Sequence, residues 1–231
     1  MSSAVSNGFA LYIHNERDSS GPTKMYTLYD PNVFLKFVQK AADDADENDQ
    51  SMKFKVIKSY LYAADPGEFV LAHISVAPSV RLKSPCWGAA EVASSASNSG
   101  FGPLLYDIAM SDYGVLTPDR ISVSRSAYNV WDFYKNKRPD VEKLEFDDVT
   151  NPQTPPKEDD CHVIKKRPSL NYAYKIKNGV NYDPLVKNHS MFIKRIIAWG
   201  NVNSMLVNPR DIEEMIALFS MRFFEEMYEN Q

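Results

Sequence analysis

Residues 94–112, SSASNSGFGPLLYDIAMSD, constrain the fold of this chain more than any other stretch. A run of small residues ends in Gly100-Phe101-Gly102, and an apolar pattern of helical spacing follows at once. Small residues let another group approach the backbone closely. A helix that starts just after such a turn presents free backbone N–H groups, which favour an anion. The stretch therefore predicts an anion-binding turn between a strand and a helix. The alternative is a tight structural turn against a packed helix.

The length and composition are those of a folded protein with a substantial core. The chain has 231 residues, of which 44% are hydrophobic and 24% are charged. This fits one large domain or one domain with an added subdomain. The net charge of −4 and the pI of about 5.6 do not indicate a nucleic-acid partner. The acidic run at residues 43–49 lacks the spacing of a calcium loop, so we predict no metal site.

The cysteine count and the hydropathy pattern predict a cytoplasmic protein. Cys86 and Cys161 are too few for a disulfide framework and lack the CxxC spacing of a zinc site, which favours a reducing compartment. The opening residues lack the basic start and the apolar run of a signal peptide. No apolar run reaches the roughly 18 residues that span a membrane, so we expect no membrane partner.

Strands are predicted where β-forming residues run between turn residues. The first two strands form a hairpin, and two more flank the turn Asp65-Pro66-Gly67. A strand of small residues then leads into the Gly100 turn, and a second turn follows at residues 117–120. The predicted strands are residues 9–14, 24–29, 52–62, 68–76, 86–93, 144–146 and 170–176, with a short apolar stretch at 115–116.

Helices are predicted where apolar residues recur at helical spacing after a capping residue. Asp30 and Asn208 each precede a proline that suits the first helical position. The predicted helices start after Asp30, at Pro103, after Ser122 or Ser124, at His189 and after Asn208. Together, the elements predict an α/β (α+β) protein with a mixed, largely antiparallel sheet flanked by helices and a helical C-terminal extension.

One change in composition suggests how the chain is divided. Residues 147–160 hold three prolines and five acidic residues, which predicts a surface loop or linker. We therefore predict a core domain over residues 1–146, an acidic and proline-rich loop over 147–168, and a mostly helical extension over 169–231. The apolar stripe of the last helix indicates core packing or, alternatively, the face of a homodimer.

In this order of elements, the chain resembles the GNAT acyltransferase family. The central motif of that family, Gln/Arg-x-x-Gly-x-Gly/Ala, follows the fourth strand and opens the third helix. The resemblance covers about residues 8–140. The segments GFGPLLYDIAM and LTPDRISVS together are also similar to uncharacterised GNAT-like proteins encoded by bacteriophages. The residues at the motif here are Ser97, Asn98, Ser99, Gly100, Phe101 and Gly102, followed by Pro103 and Leu104.

The resemblance implies transfer of an acetyl group from acetyl-CoA, the co-substrate, to an amine on a small molecule or a protein. Residues 97–104 would bind the pyrophosphate of acetyl-CoA, with backbone N–H groups of the turn as the donors. Two positions depart from the family pattern. Ser97 replaces Gln or Arg, and Trp131 stands where the family has a tyrosine that protonates the departing thiolate. We predict that Tyr134, and after it Tyr128, substitutes for that tyrosine.

The turn Asp119-Arg120 lies, by the same resemblance, near the place where acyl donor and acceptor meet. Asp119 would act as a base or orient the amine, and Arg120 would hold a phosphate or a carboxylate. An ordinary ion pair within the turn is the alternative. If the chain is viral, the expected location is the cytoplasm of the host cell.

Two further hypotheses stay open. The departures at Ser97 and Trp131 favour a GNAT-like protein that has lost catalysis and binds a partner or belongs to a virion. The third hypothesis is a hydrolase with Cys161 or Cys86 as the nucleophile beside a histidine. An incidental cysteine in a loop is the alternative to that hypothesis.

Overall fold

The computed structural model describes residues 8–18, 21–43, 59, 63–78, 84–98, 100–202 and 207–229. Within them the chain forms five α-helices and a seven-stranded, mostly antiparallel sheet, with a helical C-terminal segment, which confirms the predicted fold class. The strand predicted over residues 52–62 lies outside the described residues, apart from Ser59, and so does Ser99. None of the helices in these ranges has the length and apolarity needed to cross a bilayer.

The elements alternate in a mixed pattern along the chain. The strands are β1 (Ala10–Asp18), β2 (Gly21–Tyr29), β3 (Val70–Ala77), β4 (Ala90–Ser97), β5 (Leu116–Pro118), β6 (Val141–Glu145), β7 (Asp147–Asp148), β8 (Asp160–Cys161) and β9 (Tyr172–Ile176). The helices are α1 (Pro31–Asp43), α2 (Gly102–Tyr113), α3 (Arg125–Lys137), α4 (Asp183–Val202) and α5 (Pro209–Glu229).

The large sheet has the strand order β1-β2-β3-β4-β5-β9-β6. β4 and β5 run parallel, with Ala90 opposite Leu116 and Val92 opposite Pro118, and α2 connects them. β9 is antiparallel to both β5 and β6, and β7 and β8 form a separate parallel pair. Because β4 and β5 are parallel, their carboxyl ends meet at the same edge of the sheet.

Capping side chains begin two helices at the predicted places. The Oδ1 atom of Asp30 accepts hydrogen bonds from the backbone N–H groups of Asn32 (2.9 Å) and Val33 (3.1 Å). Of the two serines proposed to cap α3, Ser124 does so, because its Oγ accepts from the N–H of Ala127 at 3.2 Å. These contacts satisfy N–H groups that have no partner inside the helix.

The structure differs from the sequence prediction on both sides of α2. The strand predicted over residues 86–93 begins only at Ala90, because Cys86, Trp87 and Gly88 form a tight turn with φ values of 44°, 60° and 65°. Such left-handed backbone cannot continue a strand. The turn predicted over residues 117–120 also begins late, because its first two residues end β5.

A disulfide joins the two cysteines, Cys86 and Cys161, and both are buried. They pack with Ala89, Phe146 and Ala173 in one apolar cluster. Disulfides persist mainly in oxidising environments. The pairing therefore departs from the expectation of a reducing compartment, which rested on the low cysteine count.

The chain forms two compact units. Unit 1 comprises Met1–Ile13, Thr27–His73 and Tyr182–Gln231, and unit 2 comprises His14–Tyr26 and Ile74–Asn181. The predicted boundaries at residues 146 and 168 stay a prediction.

Three phenylalanine rings from different elements meet edge to face in the core of unit 1. The ring centroids of Phe69 and Phe219 are 4.8 Å apart, and those of Phe34 and Phe69 are 5.1 Å apart. The stripe of α5 is mostly buried here, as expected for core packing, and the homodimer stays a prediction. The buried members of the stripe are Ile212, Met215, Ile216, Phe219 and Phe223.

Four buried aromatic side chains pack together in the core of unit 2: Tyr106, Trp131, Tyr134 and Tyr174. The ring of Trp131 stacks on that of Tyr174, with centroids 5.1 Å apart, and meets the ring of Tyr106 edge to face at 5.0 Å. Aromatic pairs in these geometries add stability beyond the apolar area that they bury. This cluster holds α2 and α3 against β9.

We expect the free energy of unfolding to fall as the pH drops below about 6.5. Burial lowers the pKa of His189 and of His14, although Glu213 and Glu16 partly offset the effect. An unfolded histidine therefore takes up its proton at a higher pH than the folded one, so the folded state loses stability below that pH. Urea unfolding at pH 7.5 and 5.5 measures this loss. A His14→Gln/His189→Gln variant should lose less stability between the two pH values, and an equal or larger loss contradicts the assignment.

We expect reduction of the disulfide to lower the free energy of unfolding by about 2–4 kcal/mol. The bridge joins cysteines 75 residues apart, so it restricts the unfolded chain strongly. Urea unfolding with and without a phosphine reductant measures the effect. A Cys86→Ser/Cys161→Ser variant should be insensitive to the reductant. Equal stability of the wild-type chain under both conditions would show that the bridge contributes nothing.

Candidate functional site

The carboxyl half of β4 is more exposed than expected for a strand inside a sheet. Ala90 and Val92 are buried, whereas Ala93 is exposed and residues 94–97 are partly exposed. β5 ends at Pro118, opposite Val92, so residues 93–97 have no partner within β5 as the structure describes it. Backbone N–H and C=O groups that lose a neighbouring strand are open to another extended chain.

The glycine turn follows this open half of β4. Gly100 has a φ of +92°, which disfavours any residue with a side chain, and nothing lies within 4 Å of where its Cβ would stand. The N–H of Phe101 donates to the carbonyl of Asn98 at 3.2 Å and closes the turn. At Gly102 a Cβ would lie 2.8 Å from Oγ of Ser97. A glycine is therefore needed at position 100 for the backbone conformation and at position 102 for the close contact with Ser97.

Helix α2 starts at this turn without a capping side chain. The side chain of its N-cap residue, Phe101, has no hydrogen-bond acceptor, whereas Asp30 caps α1 and Ser124 caps α3. Pro103 lacks an N–H, so the donors of the first turn come from residues such as Gly102 and Leu104. An anion bound here would accept hydrogen bonds from these N–H groups, and the helix dipole would favour its negative charge.

The segment after β5 turns sharply at Asp119. The Oδ1 atom of Asp119 accepts hydrogen bonds from the backbone N–H groups of Ile121 (2.5 Å) and Ser122 (2.9 Å). This is the local contact by which an aspartate stabilises a turn. The turn and the glycine turn follow the carboxyl ends of parallel neighbours, so both lie at the same edge of the sheet.

Arg120 is partly buried, and its contacts are structural. Its backbone N–H donates to Oε1 of Glu91 in β4 at 2.8 Å. Its guanidinium donates to the carbonyls of Pro118 (3.1 Å), His162 (3.4 Å) and Leu170, and it lies over the ring of Phe146. Burial lowers the pKa of Arg120 to about 10, although nearby carboxylates counteract this shift. The guanidinium, which we expected to hold a phosphate or carboxylate, is directed at backbone carbonyls instead.

Tyr134, the first candidate for the catalytic acid, is completely buried. Its hydroxyl lies 2.6 Å from Oδ1 of Asp107 and 2.8 Å from the carbonyl of Pro103. Arg138 donates to the same carboxylate at 3.0 Å. Burial and then Asp107 raise the pKa of Tyr134 well above 10, so the hydroxyl keeps its proton at neutral pH. The contact with Pro103 holds the first turn of α2 against α3.

Tyr128, the second candidate, is partly exposed at the start of α3. The guanidinium of Arg167 lies 5.5 Å from its ring centroid and also donates to the carbonyl of Val123 at 2.8 Å. Trp131, three residues on, is buried in the aromatic cluster. Of the two tyrosines, only Tyr128 has its side chain partly at the surface, next to the segment that follows β5.

The structure brings together some of the predicted residues and shows features that the sequence did not reveal. The glycine turn and Asp119 lie at one edge of the sheet, and Tyr134 supports the helix that begins there. The early end of β5 and the carbonyl contacts of Arg120 were missed, because no local pattern encodes them. A hydrolase based on Cys161 would need reduction first, since the sulfur is bonded to Cys86.

No family model matches this chain, and neither does any curated protein or solved structure. Across the described ranges, the structure groups no three His, Cys, Asp or Glu side chains in a way that could hold a metal ion. The functional argument therefore depends on the geometry at the carboxyl ends of β4 and β5.

We expect Tyr134→Phe to lower the free energy of unfolding by about 1–3 kcal/mol, because it removes a buried hydrogen bond to a carboxylate. Tyr128→Phe should change it by less than about 0.5 kcal/mol, as is usual for partly exposed positions. Urea unfolding of both variants beside the wild-type chain measures the difference. Equal stabilities of the two variants would contradict the structural role of the Tyr134 hydroxyl.

Proposed function

We propose that this protein is a GNAT-like N-acyltransferase that transfers an acetyl group from acetyl-CoA to an amine. The observation that carries the proposal is the glycine turn and uncapped start of α2, beside a strand whose parallel neighbour ends early. Ligands of open α/β sheets bind beyond the carboxyl ends of parallel strands. The turn also follows the fourth strand of the sheet, as the motif of the GNAT family does.

Acetyl-CoA would bind along β4 and the turn. The N–H groups of Gly100, Gly102 and Leu104 would donate to the pyrophosphate, since the glycine at 100 leaves space and the helix dipole favours negative charge. The extended, amide-containing arm of the co-substrate would then pair with the open backbone of residues 93–97, in the manner of an added strand. The thioester would lie near Val92 and Pro118, where the two strands separate.

The transfer needs one nucleophile and two proton movements. The amine nitrogen attacks the thioester carbonyl carbon, a C–N bond forms, and the C–S bond breaks. The departing thiolate takes up a proton, and the amine nitrogen gives one up. Tyr128 is the better placed acid, because Asp107 and Pro103 hold the hydroxyl of Tyr134. Asp119 would orient the amine from the same edge.

An inactive GNAT-like protein, binding a partner or belonging to a virion, is the second candidate. Two features favour it: Trp131 has no hydroxyl to act as an acid, and the hydroxyl of Tyr134 is buried away from the surface.

We propose a cytoplasmic location, in a host cell if the chain is viral, because acetyl-CoA would be supplied there. The bond between Cys86 and Cys161 weighs against a reducing compartment.

Calorimetric titration with acetyl-CoA tests the proposal. We expect saturable binding by the wild-type chain and loss of at least tenfold in affinity in Gly100→Glu, because a carboxylate would stand in the place of the pyrophosphate. Gly114→Glu is the matched control, since Gly114 has a similar φ of +86°, equal open space, and lies at the other end of α2. The control should bind as the wild-type chain does.

The outcomes separate the candidate functions. Absence of acetyl-CoA binding by the folded wild-type chain rejects the acetyltransferase. Equal losses in the two glycine variants would attribute the effect to backbone strain and would remove the pyrophosphate from this turn. Binding without transfer to any amine would favour the inactive GNAT-like protein.

A further inference from the structure

Ile121 is the most exposed large apolar residue in the described part of the chain, with 94% of its surface accessible. Single exposed apolar residues are ordinary. This one differs because its backbone is held in place. Its N–H donates to Asp119, and the preceding residue, Arg120, is anchored by four hydrogen bonds to other parts of unit 2.

The far side of the segment is held as well. The carbonyl of Val123 accepts from Arg167 at 2.8 Å, and Ser124 caps α3. Ile121 is therefore presented to solvent from a segment fixed on both sides. A contact made by a side chain that is already in place costs less conformational entropy than one made by a flexible loop.

A carboxylate with a spare oxygen lies two residues away. Oδ1 of Asp119 accepts two backbone N–H groups, and Oδ2 accepts no hydrogen bond from the residues that the structure describes. The nearest cation in the sequence, the guanidinium of Arg120, is directed at three backbone carbonyls. The spare oxygen thus suits an ammonium group, beside an aliphatic side chain.

We propose that Asp119 and Ile121 together bind the acyl acceptor, and that the acceptor is a primary amine carrying an apolar chain. The ammonium group would contact Asp119, and the chain would cover Ile121. This inference rests on the proposed acetyl transfer, because a bound amine is an acyl acceptor only in that reaction. The pair follows the end of β5, at the same edge of the sheet as the glycine turn. The amine-binding step itself can be measured without acetyl-CoA.

Methyl NMR of the isoleucine-labelled chain tests the inference, with 2-phenylethylamine and ethylamine as probes. Both carry one ammonium group at neutral pH, and only the first has a large apolar part. We expect the Ile121 methyl signal, assigned from its loss in Ile121→Leu, to shift with both amines. The half-saturating concentration of 2-phenylethylamine should be about tenfold lower, as expected for an apolar contact.

Three variants identify the groups responsible. Ile121→Ser should weaken 2-phenylethylamine about tenfold and ethylamine little. Asp119→Asn keeps an oxygen acceptor for the turn and removes the charge, so it should weaken both amines. Val149→Ser is the control, because Val149 is an exposed apolar residue elsewhere in unit 2, so this change should affect the binding of neither amine. In these variants, amine binding is followed through whichever isoleucine methyl signals respond in the wild-type chain.

The inference and the proposed function fail separately. An unmoved Ile121 methyl signal, or equal losses for both amines in Ile121→Ser, overturns the inference even if acetyl-CoA binds. Calorimetry without acetyl-CoA binding rejects the proposed function but leaves an amine site at Asp119 and Ile121 established by the NMR titration. Ile121→Ser should bind acetyl-CoA as the wild-type chain does.

Discussion

The short pairing between β4 and β5 is the constraint on which the candidate site depends. β5 stops at Pro118, which has no N–H to offer, and Arg120 then binds the carbonyl of Leu170 and packs on Phe146. These contacts direct the chain away from β4, so the pairing between β4 and β5 does not continue. Because the backbone N–H of Arg120 is bound to Glu91, the point of separation is fixed relative to β4. A partly buried cation that ends a strand in this way leaves the second half of the neighbouring strand open.

The other end of β4 is fixed by strained backbone. Cys86 and Trp87 adopt left-handed φ values, a conformation that costs about 1–3 kcal/mol per residue without a glycine. The disulfide to Cys161 and two hydrogen bonds from Trp87, to the carbonyls of Glu158 and Glu145, hold the turn. The start of β4 is therefore tied to the segment that precedes β9. Both ends of the open strand depend on contacts from the second half of unit 2.

The sequence predicts those features whose physical cause is local. The caps at Asp30 and Ser124, the end of α2 at Gly114 and the apolar stripe of α5 could all be predicted, because each depends on a few adjacent residues or on one helical period. The disulfide and the end of β5 could not be predicted, since they depend on residues far apart in the chain. The sequence predicts the turn with two glycines at the candidate site. It does not predict that the half of β4 before this turn is open, because this depends on how the strands pair in the sheet.

The two predicted acids illustrate why residue spacing alone does not assign a catalytic role. The spacing of the family motif points to Trp131, and Tyr134 is the tyrosine one turn further along the same face of α3. Tyr134 lies on the buried face, where its hydroxyl binds Pro103 and Asp107 and so holds the start of α2. Tyr128 lies nearer the surface, where a proton can be exchanged. If acetyl transfer occurs here, Tyr134 supports the turn that binds the co-substrate, and the acid must come from a residue that solvent can reach.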